Sequence, residues 1–246
     1  MSANFPVGNW AVGWETSYRP KDAVALTGCY GTGTDLDAVT NAPTGAVDCP
    51  AWIDKKKVQM HLTGILSLTP GDHGWFLDLL RADTATFTGE AVGIRYFGVG
   101  PDKRYTRTIN GVQVTQAPDA GYGFWKGYSI PVDLGEGTTP ALNTVAGVGD
   151  ANSYGYTVDF NWAYDNKIIQ GWTVVPGATF FQAVKGNTPT LTANYLQGAK
   201  SLNVYVLFNQ SAPTRWQAGL NYTNYWGTNQ LLADRDFIGG FLTRNF

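Results

Sequence analysis

The sequence of 246 residues is short of charge, cysteine, methionine and histidine, and it lacks any long apolar run. Charged residues make up 15% of the chain, against about 25% in ordinary soluble domains, so the highly charged surface of such a domain is not predicted. No stretch approaches the roughly 20 apolar residues of a transmembrane helix, which excludes a helical membrane protein. The net charge of −2 gives no reason to expect a nucleic-acid partner.

Aromatic residues are abundant instead, at 14% of the chain, and they alternate with small or polar residues. In the segment 153–166, SYGYTVDFNWAYDN, every even position from 154 to 164 is large and apolar or aromatic. This period of two predicts a β-strand with two unlike faces, and about 11 residues is the length that crosses a bilayer at a tilt. Aromatic residues stand at both ends and Val158 near the middle, as expected of a lipid-facing surface. A strand of a large soluble sandwich is the alternative that this segment leaves open.

Similar alternation recurs along the chain and predicts about eight strands in one all-β domain spanning 1–246. Their connections alternate in length, which is the asymmetry of outer-membrane barrels, and a sandwich has no reason to sort its loops in this way. We therefore predict an antiparallel transmembrane (outer-membrane) β-barrel.

Within one long connection, the pair Asn110-Gly111 in TRTINGVQVTQ predicts a hairpin. The predicted strands are 9–19, 57–69, 84–97, 153–166, 168–184, 201–210, 216–227 and 236–246; the long extracellular loops are 21–54 and 98–150, and the short periplasmic turns are 70–83, 165–167 and 210–215.

Polar and charged side chains occupy the face opposite to the aromatic one, and we expect them to face the barrel lumen. The charges have opposite signs, so they can form a buried network that either plugs the lumen or lines a path through it. His61 is the only histidine in a predicted strand, and its polar neighbours indicate a hydrogen-bonded lumen residue rather than a member of a catalytic triad. We therefore expect no enzymatic activity, metal or cofactor. The predicted lumen-facing residues are Glu15, Arg19, His61, Glu90, Asp159 and Asn161.

Both cysteines of the chain, Cys29 and Cys49, lie in the first long loop, which is rich in glycine and threonine. In an oxidising compartment a disulfide between them would close a ring of about 20 residues and stabilise the fold by roughly 3 kcal/mol. Two unrelated free thiols are the alternative. We predict the disulfide, because exposed loop thiols outside the cytoplasm rarely stay reduced.

Several segments of the chain resemble, in their order, the C-terminal part of a family of proteobacterial outer-membrane proteins of unknown function. Members of that family are longer, so the resemblance implies that this chain is the C-terminal portion of a larger barrel. The genes of the family tend to lie beside an RND-type exporter and a periplasmic lipoprotein-localisation-like protein, which implies trafficking of lipid or another hydrophobic compound. The resemblance is carried by SYRP (17–20), TGEAVG (88–93), YGYTVDFNWAYDN (154–166), KGNTP (185–189), LQGAKSLNV (196–204), LNYTNYWG (220–227) and LADRDFIG (232–239).

The function expected from these features is passage or export of a small or hydrophobic molecule across the bacterial outer membrane. The alternative is a structural or adhesive surface protein that acts through its long loops. Phe246, which ends an alternating segment, resembles the C-terminal signal read by the outer-membrane assembly machinery. The expected partners are membrane lipid, lipopolysaccharide, that machinery and an envelope exporter complex. The first ten residues have neither a basic nor an apolar signal region, so we expect the secretory signal to lie outside this chain.

Overall fold

The structure is a computed structural model that describes residues 1–26, 52–109, 112–120, 148–190, 194–211 and 215–245. Across these residues, nine strands form one sheet, two more form a separate hairpin, and a single helix follows the third strand. The sheet contains β1 (Ser2–Val7), β2 (Trp10–Ala25), β3 (Trp52–Leu68), β4 (Thr84–Tyr96), β7 (Asn152–Asp165), β8 (Trp172–Lys185), β9 (Ala199–Gln210), β10 (Arg215–Gly227) and β11 (Phe237–Asn245); the hairpin is β5 (Tyr105–Ile109) with β6 (Val112–Gln116), and the helix is α1 (Pro70–Leu80).

The strands of the sheet are antiparallel and follow one another in chain order, β1-β2-β3-β4-β7-β8-β9-β10-β11. This arrangement confirms the predicted all-β antiparallel fold, and the hairpin predicted from Asn110-Gly111 is confirmed by the pairing of β5 with β6. In the part of the chain that the structure describes, β1 and β11 are the two edges, and no pairing between them closes the sheet into a barrel.

Two differences from the sequence-based prediction lie at the start of the sheet. Strand β1 was not predicted, because SANFPV contains a proline and no clear alternation; the signal that was overlooked is the two-residue turn Gly8-Asn9, in which Gly8 has a φ of 58°. Strand β2 was expected to end before Pro20 but continues to Ala25. A register shift between Arg19 and Asp22 leaves Pro20 outside the ladder, so its missing N–H breaks no hydrogen bond.

The turn between β7 and β8 is wider than the predicted 165–167 and occupies residues 166–171. Asn166 adopts the left-handed conformation, with a φ of 55°, and its side-chain oxygen accepts a hydrogen bond from the N–H of Gly171 at 2.9 Å. This bond closes a larger loop than a two-residue turn. The return strand therefore begins at Trp172 and not at Ile168.

Helix α1 lies in the connection between β3 and β4, within the segment 70–83 that was predicted as a short turn. Pro70 stands in its first turn, and the helix ends at Arg81, whose φ of 54° is left-handed. Within the described residues, no helix combines the length and the apolar character needed to cross a membrane.

The end of the sheet that carries the short turns is held together by Asp83. Its carboxylate accepts a hydrogen bond from the backbone N–H of Asp165 at 2.8 Å and pairs with the ammonium of Lys167 at 2.7 Å. Lys167, and to a lesser extent the N–H of Asp165, hold the pKa of the Asp83 carboxyl below its usual range. These contacts join the connection that contains α1 to the turn 166–171.

The opposite end of the sheet is covered by a layer of chain that we call the cap, made of residues 24–26, 117–120, 148–150, 186–190 and 194–198. Backbone hydrogen bonds tie these segments together: the N–H of Ala25 donates to Pro189 at 3.0 Å, and the N–H of Asp119 donates to Ala25 at 2.9 Å. Several of the most buried side chains of the described structure lie in the cap, namely Leu26, Thr188, Pro118 and Pro189.

One side chain of the cap, Tyr195, lies over the end of the sheet. Its ring stacks on Phe181 with centroids 6.1 Å apart, and it packs against a buried cluster that contains Ile94 and Tyr96. The space it occupies exists because residue 155 is a glycine. A Cβ added to Gly155 would lie 2.5 Å from the Tyr195 ring and 2.6 Å from the carbonyl oxygen of Gln182.

We expect Gly155→Ala to destabilise the protein by about 1–3 kcal/mol, because the added methyl displaces the Tyr195 ring or strand β8. The matched control is Gly93→Ala, since a Cβ there meets nothing within 4 Å; it should be neutral or stabilising by about 0.5 kcal/mol. Urea unfolding of the two variants checks this. Equal unfolding midpoints would show that Tyr195 does not pack on Gly155.

Candidate functional site

One face of the sheet, which we call the polar face, carries a continuous row of polar side chains. Residues that pair directly in antiparallel strands project to the same side of a sheet, so the register defines the row. It crosses the sheet from β4 to β10 without an apolar member. The row is Thr88, Asp159, Thr179, Asn203 and Thr223.

The opposite face, which we call the apolar face, is built in the same way from large hydrophobic side chains. Many of them are solvent-exposed: Leu220 by 58%, Ile238 by 80% and Leu242 by 69%. Monomeric soluble proteins rarely expose a continuous apolar surface of this extent. One row across this face is Leu66, Phe87, Phe160, Ala178, Val204, Tyr222 and Ile238.

Aromatic side chains are concentrated at the two ends of the apolar face. On β2, Trp10 stands near the short turns and Tyr18 near the cap, eight positions apart and therefore about 26 Å apart along the strand. Val12, Trp14 and Thr16 lie between them on the same face of the strand. The aromatic residues near the short turns are Trp10, Trp162, Tyr164, Trp172 and Trp216; those near the cap include Tyr18, Tyr154 and Trp226.

Asp159 is the centre of one hydrogen-bonded cluster on the polar face. Its carboxylate accepts hydrogen bonds from the Thr179 hydroxyl at 2.6 Å, the Asn161 amide at 2.8 Å and the Tyr205 hydroxyl at 3.0 Å. The bond from Tyr205 spans two strand positions, from β9 to β7, so the cluster ties three neighbouring strands. Asp159 is therefore a structural residue whose carboxylate is held by three hydrogen bonds.

His61 and Glu90 form a second cluster, on β3 and β4. The His61 Nδ1 lies 2.7 Å from the Glu90 carboxylate, and its Nε2 lies 2.6 Å from the Gln59 amide. Glu15 pairs with His61 across the strands but is exposed, and it makes no hydrogen bond with another described side chain. A groove of about 750 Å³ is lined by Glu15, His61 and Glu90, and also by Asn4, Gly13, Thr63 and Ile65.

Arg19 belongs to a third cluster, at the rim beside the cap. Its guanidinium lies 3.2 Å from the carboxylate of Asp22, which also pairs with Lys57 at 3.2 Å and accepts a hydrogen bond from Tyr96 at 2.6 Å. The register shift between Arg19 and Asp22 brings this carboxylate over Lys57. All six predicted lumen-facing residues thus lie on the polar face, but in separate groups.

Six residues of these clusters are absent from the predicted lumen-facing set. Five of them fall on the polar-face positions of their strands, so alternation could have found them: Lys57, Gln59, Tyr96, Thr179 and Tyr205. Asp22 carries no such signal, because it follows the register shift. Cys29, Cys49 and Phe246 lie outside the described residues, and their predicted roles stay predictions. In the described ranges, no group of three or more histidine, cysteine or acidic side chains is arranged to hold a metal ion.

Comparison with protein families assigns the chain to a class. A family described as a protein of unknown function (DUF1302) matches residues 1–246, and the chain belongs to it. The resemblance to a family that carries only an unknown-function label is confirmed at this level. Comparisons with curated proteins and with solved structures found no match.

We expect Asp159→Ala to cost about 1–3 kcal/mol of unfolding free energy, because three donors lose their shared acceptor on the half-buried polar face. Glu15→Ala is the matched control, since that carboxylate is exposed and unbonded within the described structure; it should change stability by about 0.5 kcal/mol or less. Denaturant titrations of both variants test this. A loss of stability for Glu15→Ala as large as that for Asp159→Ala would contradict the view that the bonded Asp159 stabilises the sheet and the exposed Glu15 does not.

Proposed function

We propose that the protein is a non-enzymatic outer-membrane β-barrel protein, involved in the passage or export of a small or hydrophobic molecule across that membrane. The observation that carries the proposal is the polar row that crosses the sheet from β4 to β10, with an exposed apolar face on the opposite side. Fully exposing a large apolar side chain to water forfeits about 1.5–3 kcal/mol. In a bilayer the same side chains would meet hydrocarbon, and the aromatic residues at both ends would lie at its two interfaces.

The lengths and order of the strands support the same proposal. A tilted strand crosses a bilayer with about 9–11 residues, and β2, β3, β4, β7, β8, β9 and β10 all reach this length. Each strand of the nine-stranded sheet pairs antiparallel with the next strand of that sheet along the chain, with the separate hairpin β5-β6 inserted between β4 and β7. Sequential antiparallel pairing is the topology of transmembrane barrels. Hydrocarbon does not tolerate unpaired backbone groups, so the proposal requires the free edges of β1 and β11 to pair with each other or with further strands.

The polar face would line the lumen and the cap would lie at one mouth. Short turns are periplasmic and long connections extracellular in such barrels, so the cap belongs to the extracellular side. Beneath the cap the wall of the sheet becomes apolar, with Val92, Ile94, Phe181 and Ala183 packed in clusters. We place the constriction of the proposed path at Tyr195, whose ring stacks on Phe181 in this apolar part of the wall. A permeating molecule would pass there from polar to apolar side chains.

The hydrogen bonds of the polar face favour a lining over a catalytic centre. Asp159 and His61 are held by side chains of neighbouring strands, an arrangement that stabilises the wall. Membrane lipid, lipopolysaccharide, the assembly machinery and an envelope exporter are the partners that this proposal implies.

The test is reconstitution of the protein in lipid bilayers, with measurement of conductance and of the efflux of a small solute. We expect Tyr195→Ala to raise the efflux above that of the original protein, because the constriction loses its ring. Tyr154→Ala is the matched control. Tyr154 precedes Gly155 in the chain but projects from the apolar face, away from the proposed path, so its removal should leave efflux unchanged.

A deletion strain provides the complementary measurement, as loss of uptake or export of hydrophobic compounds. Absence of both conductance and a transport phenotype would refute the proposed passage. Equal efflux through Tyr195→Ala and Tyr154→Ala would show that the cap does not restrict the path.

A further inference from the structure

Helix α1 packs on the apolar face of the sheet and not on the polar face. The ring of Phe76 lies against that of Phe160, with centroids 6.0 Å apart, and the hydroxyl of Tyr164 donates to the carbonyl oxygen of Leu80 at 2.9 Å. Leu77 is 1% exposed and packs in a cluster with Leu68. These contacts fix the helix on the outside of the proposed barrel, beside its short turns.

The side of α1 that faces away from the sheet carries two exposed large apolar residues. Trp75 is 75% exposed and Leu79 is 73% exposed, and residues four apart lie on the same side of a helix. Ile168 is 57% exposed in the adjoining turn, which is tied to the helix by a hydrogen bond from Lys167 to the carbonyl oxygen of Arg81. An uncovered apolar ridge therefore continues the apolar face at the short-turn end.

The composition of this ridge fits the boundary between hydrocarbon and water. Tryptophan is typical of that boundary, and the ring of Trp75 lies 5.6 Å from that of Phe76. Phe76 in turn packs against the same cluster as Trp162 and Tyr164, at the aromatic end of the sheet. Asp72 and Asp78 are exposed on the same helix, which suits the headgroup layer and not the hydrocarbon centre. Arg81, exposed at the helix end, has the charge that lipid phosphates attract.

We propose that α1 is an interfacial membrane anchor, which lies in the headgroup layer of the periplasmic leaflet with Trp75 and Leu79 among the upper acyl chains. The occupant of the ridge is lipid, because the ridge is continuous with the apolar face that the proposed function assigns to lipid. This inference rests on that proposed function, and the experiment separates the two.

The photoreactive amino acid p-benzoylphenylalanine would replace one residue at a time in the full chain, reconstituted in vesicles of phosphatidylethanolamine and phosphatidylglycerol. Leu79 tests the helix. Leu220, in the middle of the apolar face, tests the membrane-spanning sheet, and Ile65, exposed on the polar face, is the negative control. Mass spectrometry of the cross-linked products measures lipid attachment and the position of attachment.

We expect lipid cross-links at Leu79 and Leu220 in similar yield, and none above background at Ile65. The attachment at Leu79 should lie near the glycerol or upper chain, and that at Leu220 deeper in the chain. Cross-links at Leu220 without any at Leu79 would overturn the anchor and leave the proposed function intact. Absence of lipid at both positions would overturn both.

Irradiation of whole cells that carry the Leu79 replacement completes the test. Lipid adducts should dominate there as they do in vesicles. A protein adduct in place of the lipid adducts would identify the ridge as a protein-docking surface and overturn the anchor.

Discussion

The register between neighbouring strands is the constraint on which the rest of this structure depends. A slip by one residue at any pair would turn the side chains of one strand to the wrong face, so that Asp159 would exchange places with Val158 or Phe160. Two of the three donors to Asp159, Thr179 and Tyr205, come from other strands, and they reach it only in the observed register. The polar clusters therefore form only in this register, and their hydrogen bonds in turn stabilise this register over any other.

The same register explains where the compact core lies. The middle of the sheet has one polar face and one exposed apolar face, so it encloses little apolar volume by itself. Burial is concentrated at its two ends: within the cap, where Leu26 and Thr188 are nearly inaccessible to solvent, and on the inner side of α1, where Leu77 is equally buried. Under the proposed function, the two buried ends of the sheet have different roles: the cap narrows the lumen, and α1 contacts lipid.

The strand pattern could be predicted because it depends on local alternation. Strand β7 was expected at 153–166 and found at Asn152–Asp165, and the polar side of each lumen candidate followed from the same alternation. Contacts that depend on a break in the strand register could not be predicted. The bulge beyond Arg19 brings Asp22 to Lys57, and the alternation of the sequence gives no sign of that bulge. The cap was also out of reach, since Ala25, Asp119 and Pro189 meet from distant parts of the chain through backbone hydrogen bonds that any residue can make.

The central claim is that the apolar face meets lipid, and two adjacent residues of β7 test it. Val158 pairs with Gly89 on the apolar face, and Thr157 pairs with Glu90 on the polar face. The measurement is a folding titration in lipid vesicles of Val158→Arg and Thr157→Arg. The account predicts a cost of about 2–4 kcal/mol for Val158→Arg and a much smaller one for Thr157→Arg, because only the first arginine would enter hydrocarbon. Equal tolerance of the two substitutions would contradict it.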